Sequence, residues 1–407
     1  MKVAWRASPC LKEKNTPVIL VAVGSVVAEG CVRTVTAITL RTVIQNVILD
    51  WSGTLVDDLS AVWHATNQVL RRAGRPPMSL ETFRSEFCLP FARFYDRHVP
   101  GVPLRQLEAW FHEAFAEVQH PVEALPHARG FLEFCQRHGL RTFVLSTVKR
   151  EYFERQSVQT GLAPLLGPAY LEAWDKREWI GRLLSEQDLN PPETIFVGDM
   201  QHDVETAQHG GIGSCAVLTG YNTLDQLRMA GPDLIVEHLG ELQYWLESEH
   251  WSWPPAVEKS KNQSPVVTVG ALILNDRNEV LLVRTAKWSH RWGIPGGKVR
   301  TGEPSEAALR RELHEETGLE VTDVQLVEVR DWINPPEFYR PVHFVLFTYL
   351  CRVRGAPDVR INHESCAWRW VPLADALSVE LNEPTRRLVE RVLGSASARL
   401  PTAPAES

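Results

Sequence analysis

This sequence is short of the features that would place it in several large protein classes. It holds only seven cysteines (Cys10, Cys31, Cys88, Cys135, Cys215, Cys351, Cys366), odd in number and never spaced as C-x-x-C. That argues against a disulfide framework or a structural zinc site and points to a reducing compartment, the cytoplasm. A membrane helix needs about 20 mainly apolar residues, and the longest approach to one, Pro17 to Leu40, is broken by Glu29, Arg33 and several Thr, Gly and Ser. Positive charge is not in excess either. The balance of 43 Lys+Arg against 50 Asp+Glu gives −7, which speaks against a nucleic-acid partner held by bulk charge but leaves small anionic substrates open. Internal repeats are missing too. What is present is ordinary globular composition, 44% hydrophobic and 23% charged over 407 residues. At roughly 100–200 residues per domain, that length predicts two or three domains.

Residues 1–43 stand apart as a basic, acid-poor N-terminal extension without a clean period. They read as an ordered extension, an organelle transit peptide or, slightly favoured, an upstream mis-start ahead of Val43. From 44 to 246 the pattern is α/β. Short apolar runs at Val47–Leu49, Thr142–Leu145, Thr194–Val197 and Ser214–Leu218 are expected strands. Residues 59–135 carry helical spacing (Phe83, Phe87, Phe91, Phe94; Leu107, Phe111, Phe115) and are expected as one helical insertion. Strands alternating with helices predict a parallel, Rossmann-like sheet whose ligands bind beyond the strands' carboxyl ends. A polar, Pro-containing stretch, 247–265, reads as a linker. A second domain follows at 266–393, with strands at 266–274, 280–284, 322–330 and 342–353 and helices at 304–317 and 383–393; residues 394–407 form a small, polar tail expected to be disordered.

On the helix after Pro304, Glu312, Glu315 and Glu316 stand at i, i+3 and i+4, which puts three carboxylates on one face. Like charges this close repel unless a cation bridges them, and a hard divalent ion suits oxygen ligands. Taken alone, E-x-x-E-E would be a solvated acidic face. The wider spacing is more specific: Gly297, five residues, Glu303, seven residues, then Arg311-Glu312-Leu313-His314-Glu315-Glu316-Thr317-Gly318-Leu319. At ordinary residue usage its seven fixed positions coincide about once in 10⁹ starting points. This stretch resembles the Nudix box.

The resemblance implies an α/β/α sandwich that hydrolyses a nucleoside diphosphate linked to another group. It implies Glu312, Glu315 and Glu316 as ligands of Mg²⁺ or Mn²⁺, with the Gly297 carbonyl as an additional one, Glu315 and Glu316 also catalytic, and Gly297 and Arg311 as substrate- or phosphate-binding residues. Arg311 would also pair with Glu303. The general base stays open among Glu315, Glu316 and a loop carboxylate such as Glu364. Pro335, sixteen residues after the box (335 − 319), resembles the spacing of ADP-ribose pyrophosphatases, although a turn explains it as well. Trp288, Trp292, Phe338 and Tyr339 are aromatics able to stack on a base or simply pack.

In the first domain Asp50 follows a strand, Ser146 follows another, and Lys176, Asp199 and Asp203 come in order after them. A carboxylate nucleophile, a hydroxyl, a lysine and further carboxylates suit covalent phosphoryl transfer beside a cation. The series is similar to the haloacid dehalogenase (HAD) superfamily, in its phosphoglycolate-phosphatase-like branch, with 59–135 as a helical cap. The resemblance implies Asp50 as nucleophile and metal ligand, Ser146 and Lys176 on the transferring phosphoryl group with Lys149 as the fallback, and Thr54 as a phosphate contact. Asp199 and Asp203 would complete the metal site. One position departs: Ser52 stands where the family carries a second aspartate that protonates the leaving group. A serine hydroxyl does not replace that acid, whose help is worth about 10²–10⁴-fold. Asp57 and Asp58 are nearby and read as caps of the next helix.

Three functions follow. The first is a two-domain hydrolase of nucleotides and phosphorylated metabolites. The second is a Nudix enzyme with a structural HAD partner, and the third is a nucleotide-metabolite sensor.

Overall fold

The computed structural model describes residues 42–118, 122–248, 251–253, 265–355, 357–362 and 364–397. The first half is built on a six-stranded sheet. Its strands are β1 (Asn46–Leu49), β2 (Arg141–Leu145), β3 (Ala169–Tyr170), β4 (Thr194–Gly198), β5 (Gly213–Val217) and β6 (Leu234–Val236). They lie in the order β3-β2-β1-β4-β5-β6, and every pairing is parallel. All four residues of β1 are buried, as expected of a central strand covered on both faces.

Four helices, α1 (Leu59–Arg72), α2 (Leu80–Glu86), α3 (Phe91–His98) and α4 (Leu104–Val118), follow β1 and pack on one another through Val69, Phe83, Phe94 and Leu107. The helical insertion ends there, earlier than the expected 135. Helix α5 (Ala128–Arg137) belongs to the sheet layer: Phe131, Leu132, Phe134 and Cys135 are buried with Val47 and Leu49. Its apolar period resembles that of the insertion, and only its partner distinguishes it. Helices α6 (Arg150–Gln159), α7 (Lys176–Glu186), α8 (Gln201–Gly210), α9 (Leu224–Ala230) and α10 (Leu239–Ser248) complete the layers.

Two ends of this unit differ from expectation. Thr42 and Val43 pair antiparallel with Trp253 and Ser252; residues 1–41, the rest of the expected extension, lie outside the described residues. The stretch expected as a linker from 247 instead begins on this core: Trp253 is buried and its indole donates to Asp233 at 3.4 Å. Residues 254–264 lie outside the described residues.

The second half is a mixed sheet of β7 (Val266–Leu274), β8 (Glu279–Arg284), β9 (Trp292–Gly293), β10 (Thr322–Ile333), β11 (His343–Arg352) and β12 (Ala367–Pro372). The order is β9-β8-β7-β11-β10, with β12 also on β8. Helix α11 (Ser305–Thr317) covers one face through Ala308, Leu309 and Leu313. Helix α12 (Glu383–Ser397) covers the other through Leu388 and Val389. The chain is helical through Ser397, past the expected start of a disordered tail at 394, and 398–407 lie outside the described residues. Among the described residues no helix is long and apolar enough to cross a membrane.

Candidate active sites

Strand β1 delivers Asp50 to the carboxyl edge of the parallel sheet, where its N–H bonds to the Val197 carbonyl at 2.9 Å. Lys176, the first residue of α7, is fully buried, and its Nζ lies 2.7 Å from both Asp50 Oδ2 and Asp203 Oδ1. Asp203, in the first turn of α8, also accepts the Met200 N–H at 2.9 Å, which fixes its carboxylate at a helix start. Asp199 accepts from the Thr54 hydroxyl at 3.0 Å and from the Tyr221 N–H at 2.7 Å. Gly53 is required beside it: its φ is +72°, and a Cβ there would come within 2.6 Å of Asp199 Oδ2.

One oxygen each of Asp50, Asp199 and Asp203 lies within 4.8 Å of the others, and this is the one such acidic group among the described residues. Three buried carboxyls share one ammonium, so full ionisation (−3 + 1) would leave two negative charges uncompensated, and burial opposes that state. Burial, and then Asp203 and Asp50, push the Asp199 carboxyl well above its ordinary value. Burial alone would lower Lys176, but Asp203 and Asp50 outweigh it and hold the lysine charged. An all-oxygen, over-negative cluster fits a hard divalent cation.

Above Asp50 lies a cavity between the helical insertion and the sheet edge, with Phe87, Leu89, Phe91, Phe111 and Phe115 from the insertion and Trp174 from the sheet domain among its lining. Ser52 and Asp58 open into the same cavity. The expected cap at Asp58 is corrected here. Asp58 occupies the N-cap position of α1 yet makes no capping bond. Instead Asp58 accepts from the Ser52 hydroxyl at 2.6 Å and from the Tyr221 hydroxyl at 2.9 Å.

In the second half, α11 begins just after Pro304 and presents the three glutamates. Arg311 binds Glu303 with both arms of its fork at 2.8 Å, Glu312 at 2.7 Å and Glu315 at 3.2 Å, and donates to the Lys298 carbonyl at 3.1 Å. Glu316 is buried and accepts the Gly296 N–H at 2.8 Å. Burial pushes its carboxyl up to about 8, against the opposing pull of Lys287. A Cβ on Gly297 would lie 2.2 Å from Glu312 Oε2, so a larger residue there would push the Glu312 carboxylate from its place. A second cavity adjoins this loop, lined by Gly296, Gly297, Lys287, Trp288, Trp332, Phe338 and, from the first half of the chain, Glu237. Lys287 lies 2.6 Å from Glu364 and 3.2 Å from Glu237. Tyr339 donates to Glu241 at 2.6 Å, which ties the two halves together beside the cavity.

A family model described as haloacid dehalogenase-like hydrolase matches residues 47–217, and one described as NUDIX domain matches residues 264–392. The chain joins a HAD-like domain to a NUDIX domain. Both families are hydrolases. Phosphoglycolate phosphatase 1 of Pseudomonas aeruginosa is 28% identical over 222 residues, 48% of this chain and 77% of that protein. Among solved structures, a haloacid dehalogenase-like family hydrolase from Streptococcus pneumoniae aligns at 18% identity and TM-score 0.44, covering 50% of this chain and 98% of its own. A hydrolase from Pseudomonas syringae aligns at 17% identity and TM-score 0.44, with the same 50% and 98% coverage.

In the HAD-like domain the structure gathers Asp50, Lys176, Asp199 and Asp203, and puts Lys176 rather than Lys149 against Asp50. Ser146 is buried at the end of β2, and its neighbour Thr147 lines the cavity. The Thr54 hydroxyl donates to Asp199 and so orients that carboxylate. Arg311 makes the expected pair with Glu303, and further carboxylates and a carbonyl take its other donors. Glu312, Glu315 and Glu316 share the expected face but do not converge; two lean on Arg311 and one on Gly296. Trp292 lies away from the NUDIX cavity, under the Arg369 guanidinium at 4.2 Å. Pro335 opens a turn closed by the Phe338 N–H at 3.1 Å.

Residue-by-residue reading missed Tyr221, Lys287 and Glu237. Only the third dimension brings them to the sites, although Tyr221 follows Gly220 just past the end of β5, the edge where ligands bind.

Proposed function

We propose that this chain is a divalent-cation-dependent hydrolase with two active sites. The HAD-like domain cleaves phosphomonoesters through an aspartyl-phosphate on Asp50, and the NUDIX domain cleaves nucleoside diphosphates linked to another group. The observation that carries the first activity is Asp50 at the floor of a cavity, 2.7 Å from a buried Lys176 and gathered with Asp199 and Asp203. Asp50 attacks phosphorus, Lys176 and Ser146 hold the phosphoryl oxygens, and Asp199 and Asp203 with Asp50 would hold Mg²⁺ or Mn²⁺. The bound ion would neutralise charge on the transferring group. The intact cluster supports an active domain over a structural one.

The cavity supports a reading of the substrate class. Its lining is rich in aromatic and aliphatic side chains, with Lys149, His112 and Glu108 among them. Such walls favour a phosphate ester of an apolar alcohol over one whose alcohol carries a carboxylate, as in the phosphoglycolate named for the Pseudomonas relative. In the NUDIX domain, Glu312, Glu315 and Glu316 would hold the cations, the first two by turning from Arg311, and Trp288 and Phe338 offer faces for a base.

The test is a substrate panel with Mg²⁺, covering nucleoside triphosphates, ADP-ribose, phosphoglycolate and benzyl phosphate, resolved by chromatography. Asp50→Asn is expected to abolish phosphate release from the monoesters alone, and Glu316→Gln to abolish pyrophosphohydrolysis alone. Activities that survive both substitutions would overturn the assignment.

A further inference from the structure

Ser52 removes the acid from the turn after Asp50, yet a carboxyl stands one hydrogen bond behind it. We propose that Asp58 acts through the Ser52 hydroxyl as a proton relay, the two together taking the place of the missing aspartate. The inference rests on the phosphatase reading above.

Four observations support it. The Ser52 hydroxyl and Asp58 Oδ2 are 2.6 Å apart, within reach for passing a proton along one hydrogen bond. Tyr221 holds the other oxygen at 2.9 Å, so the carboxyl is aimed and cannot turn away. Ser52, Asp58 and Asp50 face one cavity. Asp58 also forgoes the helix cap its position offers, a bond worth about 1 kcal/mol elsewhere, so its orientation is not explained by helix stability. Burial, opposed by the Ser52 and Tyr221 hydrogen bonds, sets its carboxyl at about 7, where both protonation states are populated at neutral pH.

The steps balance. Asp50 bonds to phosphorus as the ester P–O bond breaks; the departing alkoxide takes the Ser52 proton, and Ser52 takes the Asp58 proton. In the second step water attacks phosphorus and passes a proton to Ser52, which returns one to Asp58. The Asp50–phosphorus bond breaks, and phosphate leaves with the relay restored.

The experiment uses the full chain with Mg²⁺ and two esters. Nitrophenolate leaves p-nitrophenyl phosphate without a proton, whereas the alkoxide of benzyl phosphate needs one. Asp58→Asn is expected to keep a stoichiometric burst of nitrophenolate and then turn over about 10²–10⁴-fold more slowly, because water has lost its base. Benzyl phosphate should show no burst and a comparable loss. Ser52→Ala should match it, and the double variant should be no slower than either single. Ser52→Asp in the Asp58→Asn background should regain turnover. Unchanged turnover of both esters, or equal loss of burst and turnover on both, overturns the relay. Ser52→Ala decides the matter by the same criteria if Asp58→Asn does not fold. A parent chain that releases no nitrophenolate dependent on Asp50 overturns the phosphatase reading itself, and the relay with it.

Discussion

The charge arithmetic around Lys176 makes a prediction that inverts the usual expectation for two partners of one ion pair. Lys176→Met removes the single cation and leaves three buried carboxylates facing one another. Breaking a buried pair from one side costs about 3–5 kcal/mol. Asp50→Asn acts in the other direction, because it removes a carboxyl whose ionised form burial and Asp203 already disfavour, while the amide oxygen still accepts from Lys176. It should cost less than about 1 kcal/mol, or stabilise, even as it abolishes phosphatase turnover. The assay is guanidinium unfolding of the full chain after removal of divalent ions, with the transition of the HAD-like domain followed by hydrogen exchange in β1 and β4. If the two substitutions destabilise by similar amounts, or Lys176→Met falls within about 1 kcal/mol of the parent, the cluster is not over-negative and the reasoning fails.

Three further predictions follow from other contacts. Mg²⁺ at a hundredfold excess over its Kd should stabilise the dialysed chain by about 2.7 kcal/mol, and calorimetry should find that gain on the HAD-like transition lost in Asp199→Asn. Arg311→Lys gives up the fork that spans Glu303, Glu312 and Glu315; pyrophosphohydrolysis should fall at least about tenfold while phosphatase kinetics stay at the parent value. His290 is held neutral: burial, then Arg84 and Arg284, lower it from 6.5 to about 3. Between those values the unfolded chain binds the extra proton, so stability falls as pH drops below about 6.5. The loss reaches about 2 kcal/mol by about pH 5, and unfolding midpoints of His290→Asn should lack it.

The parts legible in the amino-acid sequence were those set by local spacing. Glu312, Glu315 and Glu316 share a helix face because 3.6 residues make a turn, and Asp50 sits at a sheet edge because Val47–Leu49 is too apolar for anything but a buried strand. What escaped depends on partners distant in the chain. Helix α5 has the same amphipathic period as the helices before it, and only the burial of Phe131 and Phe134 against the sheet shows where it belongs. Strand β12 alternates weakly, with Trp368 exposed, so its pairing with β8 left little trace. Asp58 looks like a helix cap at the level of sequence; Tyr221, 163 residues later, is what turns it toward Ser52.

The most direct test of the central claim is to quench the chain in acid during turnover of a phosphomonoester and map the phosphoryl group by mass spectrometry. The account predicts a single acid-stable, hydroxylamine-labile phosphoryl group on the peptide that carries Asp50, lost in Asp50→Asn. Steady phosphate release with that peptide unmodified, or with the label on another residue, would contradict it.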